Sequence, residues 1–263
     1  MEIERLPILR VTEKTSNKTS DEVVKESLLT IILNNQQLVT LLCSPVNLDY
    51  LAIGFLFSEG LIKSKEEIKR ILIDAERGVV RVETEENTEM AGEQLFKRLI
   101  TSGCGRGSSL YGIAATTGQA RVESQIAITP QQVFALVNEF QHRSQTYRAT
   151  GGVHSAALCN TDSILVFSED IGRHNAIDKI FGECTLKNIS TDNHLLVTSG
   201  RISSEILMKA ARRSIPIIIS ISAPTNLGVR LAAELDITLV GFVRAKRMNV
   251  YTGSWRVKRD GDK

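Results

Sequence analysis

Apolar positions in the first third of the chain come in short runs broken by polar turns. Those in the last third come in longer runs separated by amphipathic stretches. Thr12–Ser20 is polar throughout and reads as a loop. Glu22 to Leu33 reads as extended, with Leu28–Leu33 apolar enough to be buried. Asn34-Asn35 supplies a turn and Gln37–Cys43 returns, so a hairpin is predicted. Asn47–Glu59 predicts a helix with Asn47 as its cap, Leu48, Leu51, Phe55 and Leu56 on one face, and Gly60 as its stop. Ser64–Ile71 predicts a short charged helix, with Ser64 and Glu67 at capping-box spacing. Gly78–Thr84 predicts a strand, and Glu85–Glu93 a polar loop.

Beyond a Gly/Ser/Thr-rich link over 101–117, the punctuation becomes regular. Thr129-Pro130-Gln131-Gln132 combines an N-cap, a proline at the first helical position and a capping-box glutamine, ahead of Val133, Leu136, Val137 and Phe140. Ser155–Cys159 and Ser163–Phe167 predict a hairpin around Asn160-Thr161-Asp162. Leu195–Thr198, Ser203–Arg213, Pro216–Ser222, Asn226–Leu235 and Thr238–Val243 then alternate strand and helix. The strands of this βαβαβ unit are near-continuous apolar runs, as expected of a sheet covered on both faces. The fold class expected is α/β: a C-terminal α/β domain over 116–263 with a mixed, largely parallel sheet, and a smaller N-terminal α+β domain over 1–115.

Composition narrows the function. With 42% hydrophobic and 24% charged residues the chain can bury a core. A net charge of +2 and 5% aromatic residues give no support to nucleic acid as a partner. No signal peptide and no membrane-length apolar run is seen, so a cytoplasmic protein without a membrane partner is expected. The four cysteines, Cys43, Cys104, Cys159 and Cys184, include no C-x-x-C pair and no zinc-ligand spacing, so no metal site and no zinc are expected. Cys43 and Cys159 sit in apolar runs, where a cysteine is usually an inert small hydrophobe. Cys184 carries no signal.

Cys104 is different. In Thr101-Ser102-Gly103-Cys104-Gly105-Arg106-Gly107-Ser108-Ser109 it has no bulky neighbour, and Arg106 places a fixed positive charge nearby. Such a charge raises the thiolate fraction, and thiolate is the nucleophile. The setting suits covalent chemistry or sulfur carriage; an ordinary surface loop is the alternative. Ligands of open α/β sheets bind beyond the carboxyl ends of strands. Three such ends are visible: Ser199-Gly200-Arg201, Ser222-Ala223-Pro224-Thr225, and Phe242-Val243-Arg244-Ala245-Lys246-Arg247. Together they suit a multiply phosphorylated ligand; singly, each is an ordinary polar turn. Gly172–Lys179 packs Arg173, His174, Asn175, Asp178 and Lys179 at a helix start, where His174 and Asp178 would face one another. Catalysis and a purely structural polar network both fit that cluster. His154 follows Gly151-Gly152-Val153 and reads as structural more readily than catalytic.

These segments, with Leu42-Cys43-Ser44-Pro45, Leu51–Gly60, Gly151–Ala157, Glu169–Ala176, Gly241–Arg244 and Asn249–Thr252, resemble the formate dehydrogenase accessory sulfurtransferases, the FdhD family, over about residues 21 to 257. The resemblance implies a cytidine deaminase-like larger domain and a homodimer. It implies a sulfurtransferase that receives sulfur from a cysteine desulfurase as a persulfide. The sulfur passes to the molybdenum cofactor, molybdenum bis(molybdopterin guanine dinucleotide), before that cofactor enters formate dehydrogenase. The persulfide cysteine of the family falls on Cys104. The cofactor-binding stretch falls on Phe242, Val243, Arg244, Ala245, Lys246 and Arg247, beside the Ser199, Gly200 and Arg201 turn. Many members carry C-x-x-C in the loop, where this chain has Gly107 in place of the second thiol. A carrier needs one sulfur, but a resolving thiol is lost. A cofactor-binding chaperone without sulfur transfer is the alternative. A zinc deaminase is disfavoured, because His154 is followed by Ser155-Ala156 rather than x-Glu.

Overall fold

The computed structural model describes residues 2–85 and 121–258. Cys104, Gly107, all but the first residue of the loop expected over Glu85–Glu93, and the expected domain boundary at 115/116 lie outside them. The chain begins with β1 (Ile3–Val11) and β2 (Ser16–Val24), paired antiparallel from Ile3↔Val24 to Val11↔Ser16. The polar loop expected over Thr12–Ser20 is therefore cut to a turn in which Thr12 and Thr15 bond to each other. Ser16–Ser20 carry exposed side chains and extend by backbone pairing alone. No apolar alternation exists there to reveal a strand.

The hairpin of β3 (Ser27–Leu33) and β4 (Gln36–Cys43) forms as expected. Asn34 and Asn35 both take left-handed φ, 46° and 68°, as a two-residue type I′ turn requires. β5 (Ile68–Asp74) and β6 (Val79–Thr84) complete a four-stranded sheet ordered β4-β3-β6-β5. The helix expected over Ser64–Ile71 does not form. Lys65–Glu67 make one 3-10 turn, the Glu67 carboxylate accepts the Lys63 N–H at 3.1 Å, and Ile68 enters β5. Cross-strand pairing of isoleucines on β5 with β6 outweighs the local charge pattern. α1 (Leu48–Ser58) lies where the sequence placed it. Asn47, however, is left-handed (φ 52°) and makes no side-chain cap bond. It turns the chain into the helix rather than capping it. Leu51 and Phe55 of α1 cover Leu29, Ile31, Val80 and Val82.

The second half contains α2 (Pro130–Arg143), α3 (Gln145–Thr150), β7 (His154–Cys159), β8 (Ile164–Asp170) and α4 (Arg173–Leu186). β9 (Leu195–Thr198), α5 (Ser204–Ala211), β10 (Ile217–Ser220), α6 (Asn226–Glu234), β11 (Thr238–Arg244) and β12 (Arg247–Thr252) follow. The capping box at Thr129 is complete: Thr129 Oγ1 accepts the Gln132 N–H at 3.3 Å and Gln132 Oε1 accepts the Thr129 N–H at 2.9 Å. The strands form one mixed six-stranded sheet ordered β12-β11-β10-β9-β7-β8. β9, β10 and β11 are parallel, as the βαβαβ pattern requires, and antiparallel strands flank them on both sides. Leu196, Ile218 and Leu239 face α4, α5 and α6, whereas Leu195, Val197, Ile217, Ile219 and Val240 face α2. Burial on both faces explains the unbroken apolar runs.

Among the contacts that join distant parts of the chain, the α1–α4 crossing and the Arg256 cluster lie away from the sheet edge. α1 crosses α4 at glycine on both sides: a Cβ at Gly54 would lie 1.7 Å from the Asp178 carbonyl oxygen, and one at Gly182 would lie 1.8 Å from that of Tyr50. Arg256, fully buried, donates to the carbonyls of Ser124 (3.1 Å), Asp236 (2.8 Å) and Val122 (3.5 Å). It thereby holds the irregular segment at Val122–Ser124 against the connection between α6 and β11.

Candidate functional site

Because β9, β10 and β11 are parallel, Thr198, Ser220 and Arg244 end at the same edge of the sheet. β7 runs opposite to β9 with Ala156 opposite Thr198, so His154 starts at that edge, and Asp170 pairs with His154 at the end of β8. The turns that follow are cross-linked. Ser199 N–H donates to Ser155 O at 3.0 Å, and Ser199 Oγ accepts the Ser155 N–H at 2.9 Å and lies 3.2 Å from His154 Nδ1. Ser220 Oγ donates to Gly200 O at 2.8 Å, and Ile202 N–H donates to Ala223 O at 3.2 Å. Phe242 N–H donates to Ser222 O at 3.1 Å, and Arg244 Nη1 donates to the Ile221 and Val243 carbonyls. The structure therefore brings Ser199, Gly200 and Arg201 to the same edge as Phe242, Val243 and Arg244, through the turn at Ser222–Thr225.

Phe242 has a left-handed φ of 51° at a register break between Gly241 and Arg244, and its ring is exposed. A bulge of this kind re-aims side chains at a sheet edge. Ala245-Lys246 forms the two-residue turn of the β11–β12 hairpin, between the paired Arg244 and Arg247. These residues are solvent-exposed, so the Arg244, Lys246 and Arg247 charges border the edge rather than enter the core.

The cluster at the start of α4 divides into two buried ion pairs. Asp170 and Lys179, both inaccessible to solvent, meet at 2.7 Å. Asp170 Oδ2 also accepts the Ser44 N–H (3.0 Å), and Oδ1 accepts from Gly172 N–H and Asn175 Nδ2 (both 2.9 Å). Asn175 donates as well to Leu42 O at 2.8 Å, and Ser44 Oγ accepts the Ile171 N–H at 3.2 Å. The turn after β4 is thus tied to the strand-edge turn before α4.

Asp178 and His174 do not pair with each other, as the spacing suggested. They share a helix face but reach across to α5. Asp178 meets Lys209 at 2.5 Å and accepts from Ser58 Oγ at 2.6 Å, while His174 Nε2 lies 3.4 Å from Glu205. The signal that sequence reasoning missed is that Glu205 and Lys209 repeat the four-residue spacing of His174 and Asp178 on the neighbouring helix. Burial, reinforced by Lys209, Arg173 and His154, pushes His174 down to about 3. Burial and then Arg173 push His154 down too, so both rings are neutral near pH 7. Burial raises Glu205 above the usual carboxylate range. Asp170, Asp178, Lys179 and Lys209 are thus all engaged in buried ion pairs.

Cys43, Cys159 and Cys184 are buried, and burial pushes each thiol up to about 12. None of them offers thiolate near neutral pH.

A family model described as FdhD/NarQ matches residues 24–258. The chain is 44% identical over 251 residues to the sulfur carrier protein FdhD of Bacillus subtilis (strain 168), covering 95% of this chain and 96% of that one. It is 41% identical over 251 residues to the protein of the same name from Staphylococcus aureus (strain MRSA252), covering 95% of each. Among solved structures, a crystal structure from Desulfotalea psychrophila, provisionally described as a formate dehydrogenase accessory protein, superposes with a TM-score of 0.81 at 27% identity. The match covers 98% of this chain and all of that one. No described helix is long and apolar enough to cross a membrane.

Proposed function

The chain belongs to the FdhD/NarQ family, and on that premise we propose that it is a sulfur carrier serving formate dehydrogenase. In this reading the Cys104 thiolate takes the outer sulfur of a cysteine desulfurase persulfide, releasing the desulfurase thiolate, and becomes a persulfide itself. The outer sulfur then goes to molybdenum bis(molybdopterin guanine dinucleotide), the substrate lying along the strand-carboxyl edge, and this substrate supplies the electron pair as the Cys104 thiolate leaves. The loaded cofactor passes on to formate dehydrogenase. The protein acts in the cytoplasm as a homodimer.

The observation that carries the reading is the state of the other thiols. Cys43, Cys159 and Cys184 are buried and held protonated, which leaves Cys104 as the candidate carrier of the four. The edge formed by Ser199–Arg201, Ser222–Thr225 and Phe242–Arg247 supports the second half. It supplies side-chain hydroxyls and a basic border of the kind that diphosphate groups favour. With Gly107 where a second thiol would stand, release of sulfur relies on the acceptor rather than on an internal disulfide.

Intact-protein mass spectrometry after incubation with a cysteine desulfurase and cysteine tests the carrier step. A gain of one sulfur on the wild type, absent from Cys104→Ala, is expected. The same gain in both proteins would assign the chemistry to another cysteine. No gain in either, with an active desulfurase, would favour the chaperone reading, in which the protein holds the cofactor without moving sulfur.

A further inference from the structure

β1 and β2 form an arm that the rest of the described chain leaves largely uncovered. Its base is fixed. Thr146 Oγ1 donates to Glu2 at 2.9 Å, and Val24 packs beside Gly152, where a Cβ would lie 2.7 Å from Val24 Cγ1. Beyond that base every side chain from Ser16 to Asp21 is exposed, and so are Leu9 and Val11. An isolated two-stranded ribbon is marginal in water and gains stability from further strands or a covering element.

The two edges of the arm are not equivalent. Lys25 N–H donates to Glu2 O at 2.7 Å and Thr12 N–H to Thr15 O at 2.8 Å, which fixes the phase of the ladder between them. Glu4–Val23, Leu6–Asp21, Ile8–Thr19 and Arg10–Asn17 are the pairs that exchange bonds, and the backbone groups of the intervening residues face outward. On β1 one of these is Pro7, which has no N–H, so that edge is broken at its middle. On β2 they are Ser16, Lys18, Ser20 and Glu22. The Glu22 N–H is met by Asp21 at 3.1 Å, but those of Ser16, Lys18 and Ser20 have no partner among the described residues. The arm blocks one edge and presents the other.

The presented edge is complementary to itself. In an antiparallel pair centred on Ser20, outward-facing residues meet outward-facing ones, and Lys18 of each copy stands opposite Glu22 of the other. A shift of two residues one way sets Lys18 opposite Ser20, and a shift the other way sets Asp21 against itself. Glu22 already accepts from Arg5 at 3.2 Å, so the centred register makes a row of alternating charge, Arg5, Glu22, Lys18, across the contact. Lysine on an edge strand ordinarily discourages pairing; here the same strand supplies its counter-charge.

We propose that β2 is an interface strand whose open edge pairs antiparallel with β2 of a second copy, centred on Ser20, to make a four-stranded sheet ordered β1-β2-β2-β1. The inference rests on the homodimer reading and assigns that dimer a surface other than the strand-carboxyl edge.

Analytical ultracentrifugation of the full chain, together with disulfide trapping, tests it. Wild type is expected to be dimeric across the micromolar range. Ser20→Pro removes the central outward N–H but no ladder bond of the arm, so it should be monomeric with an unchanged far-ultraviolet spectrum. Lys18→Glu sets like charges opposite each other at two points and should weaken association about tenfold. Adding Glu22→Lys restores opposite charges across the contact and should recover part of that loss. In a Cys104→Ala background, Ser20→Cys should give a disulfide-linked dimer on mild oxidation, because directly paired residues approach to about 5.5 Å. Ser16→Cys, whose two copies would stand about 26 Å apart, should not. If Ser20→Pro does not fold, the two cysteine variants decide without disturbing the arm. Cross-linking at 16 rather than 20 would overturn the interface. So would a wild-type dimer whose affinity stays within twofold in Ser20→Pro and Lys18→Glu, which leaves the homodimer reading standing. A monomeric wild type overturns both. Sulfur gain at Cys104 is read separately by mass, so the carrier step stands or falls on its own.

Discussion

Lys179 Nζ sits 2.7 Å from the Asp170 carboxylate, both side chains sealed from solvent, in the tie between the turn after β4 and the start of α4. Removing one partner leaves the other buried and uncompensated, which costs about 3–5 kcal/mol in comparable pairs. Asp170→Asn is expected to lower the unfolding free energy by that order, read as a lower urea midpoint at an unchanged slope of the transition. Replacing both residues by apolar ones of similar volume should recover much of the loss. A single substitution with an unchanged midpoint would show that the pair is not buried.

The α1–α4 crossing predicts a contrast among glycines. Gly54→Ala and Gly182→Ala force a Cβ to within 2 Å of a backbone carbonyl oxygen, so the helices must separate. Each should cost more than about 2 kcal/mol, in the range of core overpacking. Gly60→Ala meets open space and strains only a φ of 72°, so a loss of about 1 kcal/mol is expected. Thermal unfolding of the three variants ranks them.

Acid should destabilise the protein through His174. Its folded pKa is pushed from 6.5 down to about 3, so between those values the unfolded chain binds the extra proton. Stability from this group is then complete above about pH 6.5 and falls as pH drops toward 3, by about 1.4 kcal/mol per unit at most. Glu205, raised by burial, acts in the opposite sense, adding stability that is lost as pH rises. Unfolding curves for wild type and His174→Gln between pH 7 and 5 isolate the histidine slope, which the variant should lack.

Thiol labelling of the native protein at pH 8 should leave Cys43, Cys159 and Cys184 unmodified, because each is buried and protonated until about pH 12. Peptide mapping after alkylation reads the pattern directly. Rapid modification of Cys43 without denaturant would contradict the tie around Ser44.

The sequence was informative where a local rule and the tertiary setting agree. Thr129 with Gln132 formed the expected capping box, and the runs at 195–198, 217–220 and 238–243 became strands covered on both faces. It misled where pairing with a distant partner decides. Ser64–Ile71 carries a helical charge pattern, yet Ile68–Asp74 joins β6. Ser16–Ser20 looks like loop because its strand buries nothing. His174 and Asp178 were legible as a cluster but not as a pair of contacts to α5, since Glu205 and Lys209 lie some 30 residues on. Arg173 was legible as part of the cluster at the start of α4, but that its buried Nε lacks a partner among the described residues is something only the folded chain defines.

The clamp at Arg256 also sets an order of events during synthesis. Its contacts reach back 134 residues to Val122 and 132 to Ser124. Until position 256 has left the ribosome, the carbonyls of Val122, Ser124 and Asp236 lack the guanidinium that satisfies them. Contacts of such long sequence separation form late and slow the search for the native state. The emerging chain must therefore hold the rest of its sheet together before its final fastener arrives, and a truncation just short of Arg256 would leave a nearly complete polypeptide that cannot lock.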